Sequence, residues 1–141
     1  MRPLEKSLPL KLLIAREAVM ERFRPHLHEA GVTEQQWRVL RALVEVNELE
    51  AGELADRICL KMPSLSRILA DLAGRGLIDR RNGENDRRRR LVSISPAGRE
   101  LFDAMSRQSE RAYAKLRKDL GPEAYDTLMA ELDTAIRKLA S

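Results

Sequence analysis

The sequence predicts a mainly α-helical fold with one small β-hairpin, an α+β arrangement, and three observations predict it. Apolar residues recur at three- and four-residue spacing over most of the 141 residues, the period of a helix with one buried face. Two short apolar-polar alternating runs, Leu77 to Arg81 and Leu91 to Ser95, flank Asn82-Gly83 and the cluster Asp86-Arg87-Arg88-Arg89-Arg90. That is the pattern of a hairpin with arginines near its tip. Two short helical segments separated by a tight break lie directly before the hairpin.

The elements follow in order. Leu12, Val19, Phe23 and Leu27 share one helical face, with Leu13 and Met20 beside it, so a first helix spans about Ser7 to Ala30. Pro25 should kink or split it, and Gly31 is a natural stop. Thr33 and Gln36 form a capping box for a helix whose apolar face is Trp37, Leu40, Leu43 and Val44. Asn47 to Glu50 reads as a polar break. Leu54, Ala55, Ile58 and Cys59 mark a short helix, which places Cys59 on an apolar face as a buried, inert thiol. Pro63 suits the first turn of the next helix, whose buried stripe is Leu65, Ile68, Leu69 and Leu72. Gly74 and Gly76 end it. After the hairpin, Ser95 caps a long amphipathic helix beginning at Pro96, and Gly121-Pro122 separates it from a last helix carrying Tyr125, Leu128, Met129, Leu132, Ile136 and Leu139.

Helix, tight break, helix and basic hairpin make a winged helix-turn-helix. Residues 33–95 form this module within a single domain of 1–141. The helical regions 7–30 and 96–140 supply more apolar stripes than one small module can cover, so they are expected to pack against a second copy as a dimerisation region, an intramolecular bundle being the alternative. No run of about 18 apolar residues is present, which excludes a transmembrane helix. One cysteine excludes a disulfide framework, so a cytoplasmic location is expected. Between Lys61 and Arg90 there are nine Lys/Arg and four Asp/Glu, a net of +5 against +4 for the whole chain. A basic footprint confined to the hairpin and the helix before it is what phosphate binding requires, so double-stranded DNA is the expected partner.

Asp86-x-Arg88-x-x-x-Val92-x-Ile94-Ser95-x-x-Gly98 resembles the wing signature of the MarR family of transcriptional regulators. Ser64-Leu65-Ser66-Arg67-Ile68-Leu69-Ala70-Asp71-Leu72 and Arg75-Gly76-Leu77-Ile78 resemble the same family's recognition helix and its exit. The residues Arg2 to Leu10 and Thr33 to Arg41 are similar to those of the family's regulators of homoprotocatechuate (4-hydroxyphenylacetate) degradation operons. The resemblance implies a homodimeric repressor on a pseudo-palindromic operator, released by a small aromatic acid.

A recognition helix presents its N-terminal side chains to base edges in the major groove. The candidates are Ser64, Ser66 and Arg67, the last long enough for bidentate contact with guanine, with Lys61 on phosphate. Ser64 also suits helix capping. In the wing, Arg88 is the candidate for a narrow minor groove. The resemblance makes Asp86 its orienting partner, and an ordinary turn role for Asp86 is the alternative. Arg87, Arg89 and Arg90 alternate in direction, so Arg89 and Arg90 are further DNA candidates while at least one of the run packs or pairs within the protein.

For an aromatic acid, Arg16, His26, His28 and Trp37 could supply a cation, apolar walls and a polar group. Against this, Trp37 suits the core and Arg16 a surface ion pair. No cofactor is expected. His26-x-His28 is a poor chelate because residues two apart on a helix diverge, so no metal site is expected either. No phosphate loop, nucleophile motif or scaffolded carboxylate pair marks an enzyme. Response to another phenolic ligand or to oxidation of Cys59 stays open, as does less specific, architectural DNA binding.

Overall fold

The computed structural model describes residues 1–140. Seven α-helices and three strands are present among them: α1 (Leu8–Met20), α2 (Arg24–Glu29), α3 (Glu34–Glu45), β1 (Leu49–Glu50), α4 (Ala51–Arg57), α5 (Met62–Gly74), β2 (Ile78–Asn82), β3 (Arg90–Ile94), α6 (Pro96–Leu120) and α7 (Pro122–Leu139). A 3-10 turn at Leu4–Lys6 precedes them. The described chain divides into two compact units, residues 24–107 and residues 1–23 with 108–140.

The central unit is built on one apolar cluster. Leu40, Leu43, Leu54, Leu65, Leu72 and Val92 are at most 1% exposed, and they come from α3, α4, α5 and the sheet. Each such side chain contributes roughly 1.5–3 kcal/mol by leaving water. The capping box forms as expected: Gln36 N–H donates to Thr33 Oγ1 (3.0 Å), and Thr33 N–H donates to Gln36 Oε1 (3.1 Å). Gln36 has a second task the capping motif does not reveal. Its Nε2 donates to Asp71 Oδ2 at 2.6 Å, and Arg75 Nη1 donates to its Oε1 at 3.3 Å, so a buried amide ties α3 to α5.

The sheet order is β1-β3-β2, all antiparallel. The polar break expected at Asn47 to Glu50 is corrected here. Leu49 and Glu50 form a two-residue strand opposite Val92 and Leu91, and Leu49 is buried. Two residues are too few to show a period, and the strand exists only because β3 offers it a paired edge. The buried reading of Cys59 is also corrected. α4 stops at Arg57, and Cys59 stands exposed in the turn with φ of +58°. It occupies the left-handed position that glycine usually takes at a helix end, and Leu60 N–H reaches back to Ala55 O at 3.0 Å.

The terminal unit contains α1, the C-terminal half of α6, and α7. The split expected at Pro25 appears as a break after Met20, with Pro25 in the first turn of α2. Arg22 Nη1 bonds Asp119 Oδ2 at 2.6 Å, and Phe23 meets Tyr113 edge-on with ring centres 4.8 Å apart. Arg22 first, then Lys115, hold the Asp119 carboxyl below its usual range. Leu12, Leu13, Ile14, Leu128, Ile136 and Leu139 are exposed in this unit. No helix among the described residues is long and apolar enough to cross a membrane.

Candidate nucleic-acid interface

α4 and α5 form the helix-turn-helix. Lys61 is the N-cap residue of α5, with Pro63 in the first turn, and Leu65, Leu69 and Leu72 fix the helix to the core. That burial leaves the opposite side outward: Lys61, Ser66, Arg67, Ala70 and Asp71 are exposed, and Ser64 is half-buried. The N-cap is Lys61, not Ser64, and Ser64 stands on the helix itself. The short side chains of Ser66 and Ala70 let another molecule come close to the α5 backbone, with Arg67 reaching past them.

The hairpin runs in the register Ile78↔Ile94 to Asn82↔Arg90. Its tip is not a two-residue Asn-Gly turn. The loop from Gly83 to Arg89 is closed by Gly83 N–H to Arg89 O (2.9 Å) and Arg89 N–H to Asp86 O (3.1 Å). Asp86 Oδ1 accepts from the Arg88 backbone N–H at 3.0 Å and lies 3.5 Å from Arg88 Nε. Arg88 is thus attached at its base while its side chain is 95% exposed. Arg89 is turned inward, Nε to Glu50 Oε2 at 3.3 Å, the internal pairing expected of one member of the run. Arg81, which sequence reasoning left unassigned, makes a two-pronged bond to Glu48 at 2.7 and 2.8 Å. Arg80 and Arg90 line a groove of about 650 Å³ with Met62 and Ser66 of α5. Reading residues 78, 80 and 82 as one face of a strand would have found Arg80.

Ser95 joins the hairpin to α6. Its Oγ accepts from Gly98 N–H (3.0 Å) and donates to Gly76 O (2.6 Å), and its own N–H donates to Leu77 O (3.1 Å). The expected N-cap of α6 is therefore also a clamp on the exit of α5.

The four effector candidates fall in different units. Arg16 lies on α1 of the terminal unit, half exposed, 3.7 Å from Glu17. In the central unit Trp37 and His26 are each 8% exposed, while His28 is exposed on a shallow recess with Arg24 and Thr33. Burial lowers the His26 pKa, against a smaller raising effect of Glu29. The unfolded chain then binds a proton that the folded chain resists. Stability present above the ordinary histidine pKa of about 6.5 is lost as pH falls below that value and through the lower folded pKa. Thermal melts should therefore show a lower midpoint at pH 5.5 than at 7.5, and His26→Asn should shrink the difference. An equal difference in both proteins would exclude His26 as its source.

These elements, an anchored helix with a polar outer face beside a basic hairpin in a three-stranded sheet, define a winged helix-turn-helix. The MarR family profile matches residues 32–89. The chain is 36% identical to the HTH-type transcriptional regulator FarR of Neisseria gonorrhoeae over 129 residues, 89% of this chain and 88% of that protein. It is 36% identical to the homoprotocatechuate degradative operon repressor of Escherichia coli over 130 residues, 92% and 88% of the two. Among solved structures it resembles NadR in complex with 4-hydroxyphenylacetate (TM-score 0.82, 33% identity, 99% and 98% covered). It also resembles the repressor CouR bound to a 23-mer DNA duplex (TM-score 0.85, 26% identity, 94% of each chain). The chain belongs to the MarR family and is a DNA-binding transcriptional regulator. Its relatives are regulators, not enzymes.

Proposed function

We propose that this chain is a homodimeric repressor of an aromatic-acid catabolic operon, for homoprotocatechuate or 4-hydroxyphenylacetate, and that the aromatic acid releases it from a pseudo-palindromic operator. The observation carrying the DNA half is Arg88, its side chain 95% exposed and tethered at its base by Asp86, in the unit whose α5 presents Ser66 and Arg67 outward. Lys61, Ser64, Ser66 and Arg67 are assigned to the major groove and its phosphates, and Arg88 to the minor groove. The exposed apolar residues of α1 and α7 support the homodimer, with regions 7–30 and 96–140 as its contact region and 33–95 as the DNA-binding module. The location proposed with this role is the cytoplasm.

The effector half is supported by the two relatives whose names carry homoprotocatechuate and 4-hydroxyphenylacetate. Arg16 is assigned to the carboxylate, and His26, His28 and Trp37 remain candidates for the ring and its hydroxyl. The test is binding to the DNA upstream of the chain's own gene, with random duplex as competitor and 4-hydroxyphenylacetate or its catechol added. The expected result is preference for the upstream fragment, release by the acid, and a thermal shift with the acid that Arg16→Ala abolishes. Equal binding to random DNA supports an architectural binder instead, and no shift with any aromatic acid rejects the effector. The exposure of Cys59 favours one second reading, release by oxidation of its thiol. Oxidant-induced release that Cys59→Ser removes would establish it.

A further inference from the structure

The hairpin register sorts a set of chemically identical side chains. Along β2, Ile78, Arg80 and Asn82 point to one face of the sheet and Asp79 and Arg81 to the other. The cross-strand pairs Arg80↔Val92, Asn82↔Arg90 and Arg81↔Leu91 carry the two rows into β3, and Leu49↔Val92 and Glu50↔Leu91 carry them into β1. Leu49, Ile78 and Val92 are buried in the core with residues of α5, so the first row is the α5 side of the sheet. Arg80 and Arg90 continue that row outward into the groove shared with Met62 and Ser66, which Arg81 and Leu91 of the other row also border. Neither meets a carboxylate within ion-pair distance among the described residues. On the other row, Glu48 grips Arg81 through two hydrogen bonds, and Glu50 lies 3.3 Å from Arg89 Nε. The carboxylates come from β1 and the residue before it. The Glu48 carboxyl sits below its usual range chiefly because Arg81 donates to it.

We propose that this register divides the wing arginines into two sets: Arg81 and Arg89 brace the hairpin onto β1 through the positioning residues Glu48 and Glu50, while Arg80 and Arg90 join Arg88 as DNA contacts. The division rests on the DNA-binding reading above. Arg81 and Arg89, half withdrawn from solvent onto Glu48 and Glu50, gain little by exchanging a carboxylate for a phosphate, and the carboxylates beside them repel the backbone, whereas Arg88 keeps 95% of its side chain exposed beside Asp86. Arg80 and Arg90 carry neither handicap and stand on the side of the helix that presents Ser66. Their charge is available for counterion release, which sets the salt dependence of binding. The division also moves Arg89 from the contact set to the bracing set.

The experiment is a salt series from 50 to 200 mM, read by fluorescence anisotropy on operator and random duplexes, with thermal melts as a check on folding. Arg80→Gln should flatten the plot of log affinity against log salt by about 0.9 for each wing engaged, or about 3.5-fold in affinity over that range. Arg81→Gln should leave the slope unchanged. Glu48→Gln should free Arg81, steepen the slope and raise affinity for random duplex. The double exchange Glu48→Arg with Arg81→Glu should restore both to the wild-type values. Arg81→Gln flattening the slope as much as Arg80→Gln, or Arg80→Gln leaving it unchanged, overturns the division. A wild-type chain that binds neither duplex overturns the DNA-binding reading itself and the division with it. Wild-type binding with either failed variant pattern overturns the division alone.

Discussion

Gly98→Ala is expected to lower the unfolding free energy by about 1–3 kcal/mol, the range for forcing atoms into a packed site. Gly98 is the third residue of α6, and by helix propensity alone alanine there would be better by about 1 kcal/mol. The packing reverses that sign. An added Cβ would collide with the carbonyl oxygen of Leu77 and lie 2.9 Å from Ile94 Cγ1. Neither neighbour can yield cheaply. The Leu77 carbonyl accepts the Ser95 N–H at 3.1 Å, and the Leu77 N–H is bonded to Leu72 O at 2.9 Å, closing the end of α5. Ile94 is paired with Ile78 across the hairpin. The exit of α5, both hairpin strands and the start of α6 therefore meet at one glycine. Gly52→Ala is the matched control: Gly52 lies in α4 with nothing within 4 Å of its added Cβ. It should stabilise by about 0.4–1 kcal/mol. Denaturant titrations of both variants check the pair, and a stabilising Gly98→Ala would show that the close approach relaxes freely.

The same node shows why much of the fold was legible in the sequence. Pro25, Pro63, Pro96 and Pro122 each stand in the first turn of a helix, where the missing N–H has no intrahelical role. Thr33 and Ser95 cap through their own hydroxyls, so their signals are local. What escaped depends on partners distant in sequence. β1 is two residues long and is defined by β3, some forty residues later. Cys59 takes a glycine's conformation without being glycine, and so it reads as one more apolar helical residue. The Asp86-Arg88 contact was expected from the family resemblance, and it spans only two residues. The fates of Arg81 and Arg89 were not, because Glu48 and Glu50 lie 33 and 39 positions away. A run of identical arginines carries no internal mark of direction, and only the register supplies one.

Arg88→Ala is expected to weaken operator binding by roughly 5- to 150-fold, equivalent to about 1–3 kcal/mol for one well-placed base-edge contact. It should also flatten the salt slope by about 0.9 for each wing that loses a charge. The two effects separate its roles. An arginine touching only phosphate would lose affinity equally on operator and random duplex, whereas one inserted in a narrow A/T-rich minor groove loses more on the operator. The tether to Asp86 bears on the size of the loss. An exposed ion pair is worth only about 0.2–1 kcal/mol, so Asp86 cannot rigidify the guanidinium; it limits the directions a 95% exposed side chain explores. Asp86→Asn should accordingly cost the operator several-fold in affinity while reducing repulsion toward random DNA, so that selectivity falls more than binding does. In Arg88→Ala, the added Asp86→Asn should cost the operator almost nothing, because its partner is gone. Anisotropy titrations of the four proteins on both duplexes measure this coupling. Equal losses from Asp86→Asn with and without Arg88 would mean that Asp86 only shapes the loop through the Arg88 N–H, leaving the direction of the guanidinium to the DNA itself.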